Sequence, residues 1–202
     1  MRTIGTAFAF ALVLGAPAFG QTLSVVTVDG PAVDCQFSAQ CSIAPNDEFV
    51  EIALPVSRKA FLMSRTFVAA ANSHAHGNTA YQYRVDMASS IPLGDSACVL
   101  NVTIDIGPIT KIRYDPAQPS SDVYVIGKGV PANQVGLLSA VKSGNNVTFT
   151  FDRPVCSSTS GVNGDTTFFF GLAAHGSPHG VRAAVDASGI DDISVKAFAP
   201  IH

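Results

Sequence analysis

The sequence has no tryptophan and only two glutamates, and charged residues make up 13% of its 202 residues. An average globular protein has about 25% charged residues, so the surface of this chain must be polar mainly through uncharged groups. Its 12 lysines and arginines against 15 acidic residues give a formal charge of −3, and they form no basic block. Binding along a phosphate backbone needs such a block, so we expect no nucleic-acid partner.

Sequence motifs of common catalytic sites are also missing. There is no Gly-x-Ser-x-Gly nucleophile elbow, no His-Glu-x-x-His zinc motif and no phosphate-binding glycine loop. The two glutamates, Glu48 and Glu51, are three residues apart in the sequence. They therefore point to opposite faces of a strand, which does not suit a glycosidase pair. The sequence favours a noncatalytic role, and a hydrolase is the last alternative.

Outside the first twenty residues, no apolar run is long enough to span a bilayer. Within them, the positive charge of Arg2 precedes an apolar run and then a stretch of small residues. This pattern predicts a secretory signal peptide over residues 1–20, with cleavage after Gly20 or, alternatively, after Ala18. We expect the remainder, residues 21–202, to be a single secreted domain, soluble in an extracellular or periplasmic space and without stable membrane insertion.

Four cysteines lie in this exported part, where an oxidising compartment favours disulfides. Four cysteines allow three pairings. The short separation of Cys35 and Cys41 favours a local bridge, which leaves Cys98 to join Cys156. The chain-entropy model gives about 2 kcal/mol for the first closure and about 4 kcal/mol for the second. A zinc site is the rival interpretation, but the sequence contains no Cys-x-x-Cys pair.

Short runs of alternating, β-branched and aromatic residues recur through the chain and predict strands. Turn signals separate them, among them Asp29-Gly30-Pro31, Ser143-Gly144-Asn145-Asn146 and Ser188-Gly189. This spacing is typical of an all-β, antiparallel two-sheet β-sandwich, jelly-roll or immunoglobulin-like, here stabilised by disulfides. The expected strands are residues 23–28, 49–55, 60–69, 81–87, 98–106, 111–114, 123–126, 136–141, 147–151, 167–172, 181–185 and 193–198.

Four of the five histidines form two local pairs, His74 with His76 and His175 with His179. Imidazole suits copper and zinc, so these four side chains are a candidate metal site. Neighbouring glycine and proline residues place both pairs in loops, and solvated loop histidines are the alternative interpretation. Counting the expected strands puts the two loops at opposite ends of the sandwich, and one miscounted strand would reverse that placement.

Acidic residues are nearly all aspartate, and Asp186, Asp191 and Asp192 cluster around one turn. Oxygen ligands on extracellular loops suit calcium, so these three are a candidate calcium site. No segment follows the Asp-x-Asp-x-Asp-Gly pattern, however. Aspartates also commonly cap turns by bonding their own backbone. We therefore expect no cofactor, with copper, zinc or calcium as the alternatives.

Tyr81 and Tyr83 lie two residues apart and so share one face of a strand. Exposed tyrosines stack on sugar rings, which makes these two the candidate ligand-binding residues of a carbohydrate-binding module. The lack of tryptophan argues against this hypothesis. Tyrosines at the edge of the core, with their hydroxyls in water, are the alternative interpretation.

The segment Thr166-Thr167-Phe168-Phe169-Phe170-Gly171-Leu172-Ala173-Ala174 predicts a buried strand in which Gly171 permits close approach of a neighbour. Together with residues 181–185 it resembles a strand pair of secreted bacterial β-sandwich proteins, including many that are sorted by the exosortase system. The chain lacks the Pro-Glu-Pro signal, apolar helix and basic tail of exosortase substrates, so anchoring is not implied. The resemblance implies an extracellular bacterial β-sandwich without a defined catalytic site.

These features predict a secreted, noncatalytic interaction or structural protein of a bacterial envelope or matrix. Its expected partner is an extracellular protein or a glycan. A carbohydrate-binding module is the second hypothesis, and a secreted copper or zinc protein that uses the two histidine pairs is the third.

Overall fold

The computed structural model describes residues 20–55, 57–92, 97–128, 134–158 and 163–202. Nearly all of the expected signal peptide lies outside these residues. Within them the chain forms mostly strands and one short helix. The elements are β1 (Gln21–Thr22), β2 (Val25–Asp29), α1 (Gly30–Phe37), β3 (Asn46–Glu51), β4 (Ser57–Arg58), β5 (Phe61–Val68), β6 (Thr79–Asp86), β7 (Ile91–Pro92), β8 (Cys98–Asp105), β9 (Val123–Lys128), β10 (Leu137–Ser143), β11 (Asn146–Cys156), β12 (Phe169–Ala174), β13 (Pro178–Ala187) and β14 (Ile190–Pro200).

Two six-stranded sheets form a β-sandwich, which confirms the expected fold class. Sheet A has the strand order β1-β10-β11-β8-β13-β14, and sheet B has the order β2-β9-β12-β6-β5-β3. The short strands β4 and β7 pair in a small separate sheet. Paired strands are antiparallel, as expected, except that β2 runs parallel to β9 among the described pairs.

All but one of the expected strands overlap a strand of the two main sheets. The exception is the strand expected at residues 111–114, where the structure has only one isolated bridge, between Ile112 and Ser121. The expected hairpin around Gly144-Asn145 is confirmed, because Ser143 and Asn146 pair at the end of β10 and β11.

The main core lies between the two sheets. Alternation in β11 turns Val147, Phe149 and Phe151 inward, where each is buried. The ring of Phe149 packs against that of Phe170 from sheet B, with the ring centres 4.9 Å apart. Each large apolar side chain that is fully buried stabilises the fold by about 1.5–3 kcal/mol, so these facing positions hold the two sheets together.

Sheet B also carries a second, smaller core that contains Val33 and Phe37 of α1 and Phe67 of β5. The sequence does not predict this helix, because Asp29-Gly30-Pro31, where β2 ends and α1 begins, is a typical turn sequence. Proline is tolerated in the first helical turn, where the missing N–H would have no partner, and it starts α1 here. No helix within the described residues has the length and apolarity needed to cross a membrane.

Both expected disulfides, Cys35–Cys41 and Cys98–Cys156, are present. The first links the last turn of α1 to the chain that leaves it. The second links β8 to β11, in which Cys98 and Cys156 are directly opposite each other. This pair lies beyond an irregularity in the register between Thr150 and Val155, so the bridge restores the alignment of the two strand ends.

Residues 21–29 connect the two sheets near the start of the described chain, and we call them the N-terminal clamp. β1 pairs with β10 in sheet A, whereas β2 pairs with β9 in sheet B. Between them, the backbone N–H of Ser24 donates to Oδ2 of Asp122 at 2.8 Å. Burial opposes ionisation of Asp122, but its bonds to Ser24 and the nearby Lys111 outweigh this and lower the pKa of its carboxyl group.

Candidate binding site at the histidine loops

The loop between β5 and β6, residues 69–78, carries the first histidine pair, and we call it the histidine loop. Its two ends are joined by a backbone hydrogen bond from Ala69 to Asn78 of 2.9 Å. The N–H groups of Ala70 and Ala75 donate to carbonyl oxygens in the last turn of α1, at 2.8 and 2.9 Å. These bonds also satisfy orphan carbonyls of the helix end. The loop is therefore held against α1 and presents its histidines from a fixed frame.

The second histidine pair begins beside this loop. Residues 175–177 join β12 in sheet B to β13 in sheet A. Nδ1 of His175 lies 2.8 Å from the carbonyl oxygen of Gly77 and donates a hydrogen bond to it when that nitrogen is protonated. The two histidine loops meet at one end of the sandwich, and the expectation that they lie at opposite ends is wrong.

The miscounted strand explains this error. Without a strand at residues 111–114, six long strands (β6, β8, β9, β10, β11 and β12) separate the two loops. An even number of crossings returns the chain to the end from which it started. The antiparallel register of β6 and β12 agrees, since Ala174 at the end of β12 faces Thr79 at the start of β6.

The four histidines nevertheless do not converge on one point. His74 and His76 line different cavities. His175 bonds the backbone of Gly77, and His179 lies in β13 opposite Ala199. The described residues contain no group of three or more His, Cys, Asp or Glu side chains that could hold a metal ion. The structure therefore brings the two loops together without gathering the side chains of His74, His76, His175 and His179, the expected copper or zinc ligands, into one group.

The expected calcium ligands Asp186, Asp191 and Asp192 do not form such a group among the described residues either. Oδ1 of Asp186 accepts a hydrogen bond of 2.9 Å from the backbone N–H of Asp192. The carboxylate of Asp192 in turn accepts from Arg182 through both oxygens, each at 2.9 Å. Asp192 has a positive φ of 58°, a conformation that aspartate tolerates better than most residues. Asp186 and Asp192 therefore bond within the β13–β14 hairpin, and Asp192 binds an arginine.

Tyr81 and Tyr83 share one face of β6, as expected, but that face points into the main core and both side chains are fully buried. The hydroxyl of Tyr81 donates to the carbonyl oxygen of Gly176 at 3.0 Å, and that of Tyr83 to Phe198 at 2.7 Å. Burial raises the pKa of Tyr81 to about 12 and that of Tyr83 well above its usual value. Rings buried in this way do not stack on a sugar, so the expected carbohydrate contact through these tyrosines is corrected.

One cavity, the Arg113 cavity, lies on the α1 side of the histidine loop and has a volume of about 340 Å³. Its polar groups come from three separate segments: the helix, the histidine loop and the chain that follows β8. The segment after β8 is fixed by Tyr114, whose buried hydroxyl accepts a 2.9 Å hydrogen bond from the N–H of Ala173 in β12. The residues that line this cavity are Gln36, His74, Ala75, Ile112, Arg113 and Pro116.

A second cavity, the His76 cavity, lies between the histidine loop and residues 176–177 and has a volume of about 390 Å³. Val68 lies at this cavity and is 68% exposed. The amide of Asn78 donates to the carbonyl oxygen of Ala75 at 3.1 Å. Its Oδ1 is buried and has no hydrogen-bond partner among the described residues. A buried acceptor without a partner costs free energy.

Ser177 lines the same cavity as His76, which raises the question of a nucleophile and its base. An activated serine needs a hydrogen bond to the base. In the described part of the chain, serine hydroxyls bond to backbone carbonyl and N–H groups, Asp122, Gln40 and Arg182, and none of these bonds involves a histidine. The geometry around the two loops is that of preformed cavities with hydrogen-bonding side chains.

Sequence reasoning missed Gln36, Asn78 and Arg113, since each is an isolated polar residue without a motif. They reach the two cavities only because α1 and the segment after β8 are folded against the histidine loop, and the sequence pattern predicted neither arrangement. Comparisons of the chain with protein-family models, curated proteins and solved structures return no match.

Proposed function

We propose that this protein is a secreted, noncatalytic interaction protein of a bacterial envelope or extracellular matrix, and that it binds its partner at the histidine-loop end. The observation that carries the proposal is the histidine loop itself, which is tied to α1 by backbone hydrogen bonds and forms a wall of two cavities. A binding surface that is already ordered pays little conformational entropy on association. This rigidity favours recognition over a mechanism that requires a moving lid.

The placement outside the cytoplasm rests on the two disulfides and on the expected signal peptide. All four cysteines of the sequence are paired, and such pairing is typical of proteins in oxidising compartments. The bacterial origin rests on the resemblance of residues 166–174 and 181–185 to secreted bacterial β-sandwich proteins.

The test uses cells and matrix of the producing organism from which the gene for this protein has been deleted. It measures how much of the purified, disulfide-bonded protein they retain. The loop-end variant combines Val68→Asp with Arg113→Gln, two exposed positions at the two cavities. The control is Lys59→Gln, which removes one positive charge from an exposed residue at the opposite end. Exposed substitutions change stability by no more than about 0.5 kcal/mol, so folding is preserved in both.

We expect saturable retention of the wild type and the control, and a loss of about tenfold or more in the loop-end variant, because two contact sites are removed. Equal retention of all three proteins would overturn the assignment of the binding end. Recovery of the native chain from the cytoplasm, with residues 1–20 attached and with reduced thiols, would overturn the secreted role.

A further inference from the structure

We infer that the Arg113 cavity binds a carboxylate group carried on a compact carbon skeleton. The inference rests on the proposed function, because it names the ligand chemistry of the same end of the molecule. It depends on three features of the cavity: a guanidinium with no acidic neighbour in the wall, an amide that opens into the cavity without a protein partner, and an apolar surface beside them.

The positive charge of Arg113 is not neutralised within the cavity. None of the lining residues is acidic, and no carboxylate of the described residues forms an ion pair with Arg113. Asp115 lies two residues away, where it accepts a hydrogen bond from the N–H of Ala117 at 2.9 Å, and it is not part of the wall. A guanidinium matches a carboxylate through two parallel hydrogen bonds, so an anionic ligand supplies the partner that the protein does not.

Gln36 provides the second feature. It is only 6% exposed, yet it lines the cavity. Its backbone oxygen accepts from Ala75 at 2.9 Å, whereas its side-chain amide has no hydrogen bond within the described residues. The residue is almost entirely buried, but its amide atoms are not enclosed by protein and stay open to the cavity. The adjacent Cys35–Cys41 disulfide fixes the end of the helix, so this amide is held in place to donate to a ligand oxygen.

The rest of the wall determines what the carboxylate is attached to. Ala75, Ile112 and Pro116 present apolar surface, and His74 adds a group that donates or accepts a hydrogen bond. The volume of about 340 Å³ is at the small end of the range for ligand sites. A sugar acid and a short organic acid share the required chemistry, a carboxylate beside a C–H surface, and the experiment below separates them.

The experiment measures binding of four probes by calorimetry and by amide chemical shifts of the full disulfide-bonded protein. D-glucuronate and D-glucose differ only in the carboxylate, glutarate is an organic acid without a sugar ring, and inorganic phosphate is an anion without a carbon skeleton. We expect saturable binding of glucuronate, of glutarate or of both, with shifts in residues 36, 74 and 113, and no binding of glucose. Binding of glucuronate alone assigns a sugar acid, binding of glutarate alone assigns an organic acid, and binding of both assigns a carboxylate site that accepts either skeleton.

Matched variants test the residues. Arg113→Gln should weaken carboxylate binding at least about tenfold, since a hydrogen bond to a charged group is lost. Gln36→Leu, which keeps the side-chain size, should weaken it severalfold, and Lys59→Gln should leave it unchanged. Equal affinity for glucose and glucuronate, equal affinity for phosphate, no binding of either carboxylate, or full binding by Arg113→Gln would each overturn the inference.

The cell-retention assay separates this inference from the proposed function. If no carboxylate binds and the loop-end variant still loses retention, the loop end is the contact surface and the ligand chemistry is wrong. If carboxylates bind and retention is unaffected by the loop-end substitutions, the cavity is a small-molecule site and the assignment of the envelope contact to this end is wrong.

Discussion

The buried tyrosines show why a correct pattern led to an incorrect role. Residues two apart in a strand share a face, and this holds for Tyr81 and Tyr83. The pattern does not say whether that face meets water, however. Both faces of sheet B are covered by a core. Tyr81 points to the main core, and its neighbour Ala80, which points to the opposite face of β6, is buried in the second core. At the scale of the residue, spacing predicts which side chains are neighbours, and only the layers packed on the sheet decide their exposure.

Gly171 in β12 is a position where one methyl group should cost stability. A Cβ atom built there would lie 2.4 Å from the carbonyl oxygen of Tyr81 and 3.0 Å from the ring of Tyr124. Backbone and a buried ring cannot yield easily. We therefore expect Gly171→Ala to lower the free energy of unfolding in urea by about 1–3 kcal/mol, more than the 0.5–1 kcal/mol or so that alanine gains over glycine in strand propensity.

The matched control is Gly30→Ala at the start of α1. There the added Cβ would meet only a methyl group of Ile126 at 3.7 Å, an ordinary contact. Its free energy of unfolding should equal or slightly exceed that of the wild type. Equal stability of Gly171→Ala and Gly30→Ala would show that β12 can shift away from its neighbours.

At the scale of the element, strands were predictable because alternation and turn residues are local. The helix was not, because Gly30 and Pro31 are turn formers in most contexts and α1 is eight residues long. A helix of this length is marginal on its own, and it is held by the burial of Val33 and Phe37. Residues 111–114 have the composition of a strand but form a loop that lies over β12. The N–H of Thr110 donates to the carbonyl oxygen of Ala173 in β12, and the N–H of Ala173 donates to the hydroxyl of Tyr114.

The two disulfides should differ in their contribution to stability because they close loops of different length. Cys98 and Cys156 are 58 residues apart, and Cys35 and Cys41 are 6 apart. The chain-entropy model gives a loss of about 4 kcal/mol for the double change Cys98→Ser with Cys156→Ser, against about 2 kcal/mol for Cys35→Ser with Cys41→Ser.

Urea unfolding of the two double variants beside the wild type checks this order. Reduction of the wild type should destabilise it at least as much as the larger of the two changes. A smaller effect at Cys98 and Cys156 would mean that β8 and β11 remain close in the unfolded chain.

At the scale of the whole molecule, all four tyrosines of the sequence are buried. Burial raises the pKa of Tyr83, Tyr114 and Tyr124 above the usual 10.0, and that of Tyr81 to about 12. The tyrosines of the unfolded chain therefore lose their protons at a lower pH than those of the folded protein. Stability from this source is complete below about pH 10 and is lost as the pH rises above it.

We expect tyrosinate absorbance to appear in a single cooperative step that coincides with loss of circular dichroism in the strand region, at a pH well above 10. In concentrated urea the same groups should titrate near 10, the ordinary value for tyrosine. Gradual appearance of tyrosinate near pH 10 in the folded protein would show that at least one ring is accessible to water.

The candidate site is formed by residues far apart in the sequence, so no local motif could predict it. The Arg113 cavity joins residues near positions 36, 74 and 113, and their meeting depends on the unpredicted helix and on the loop that replaces the expected strand. The histidine pairs were a local signal, and the structure does bring their loops together. The histidine side chains nevertheless line separate cavities. The direction of a side chain in a loop depends on the backbone hydrogen bonds of that loop, which the spacing of residues in the sequence does not specify.

The N-terminal clamp constrains when this fold can form. Ser24 bonds Asp122, 98 residues further along, and β1 and β2 find their partners only in β10 and β9. In a chain that crosses a membrane from its amino end, residues 21–29 emerge early and must wait for most of the remaining chain. Such long-range pairing is slow. The sandwich therefore closes only after most of the chain is available, and the proposed export would require the chain to cross the membrane before it folds.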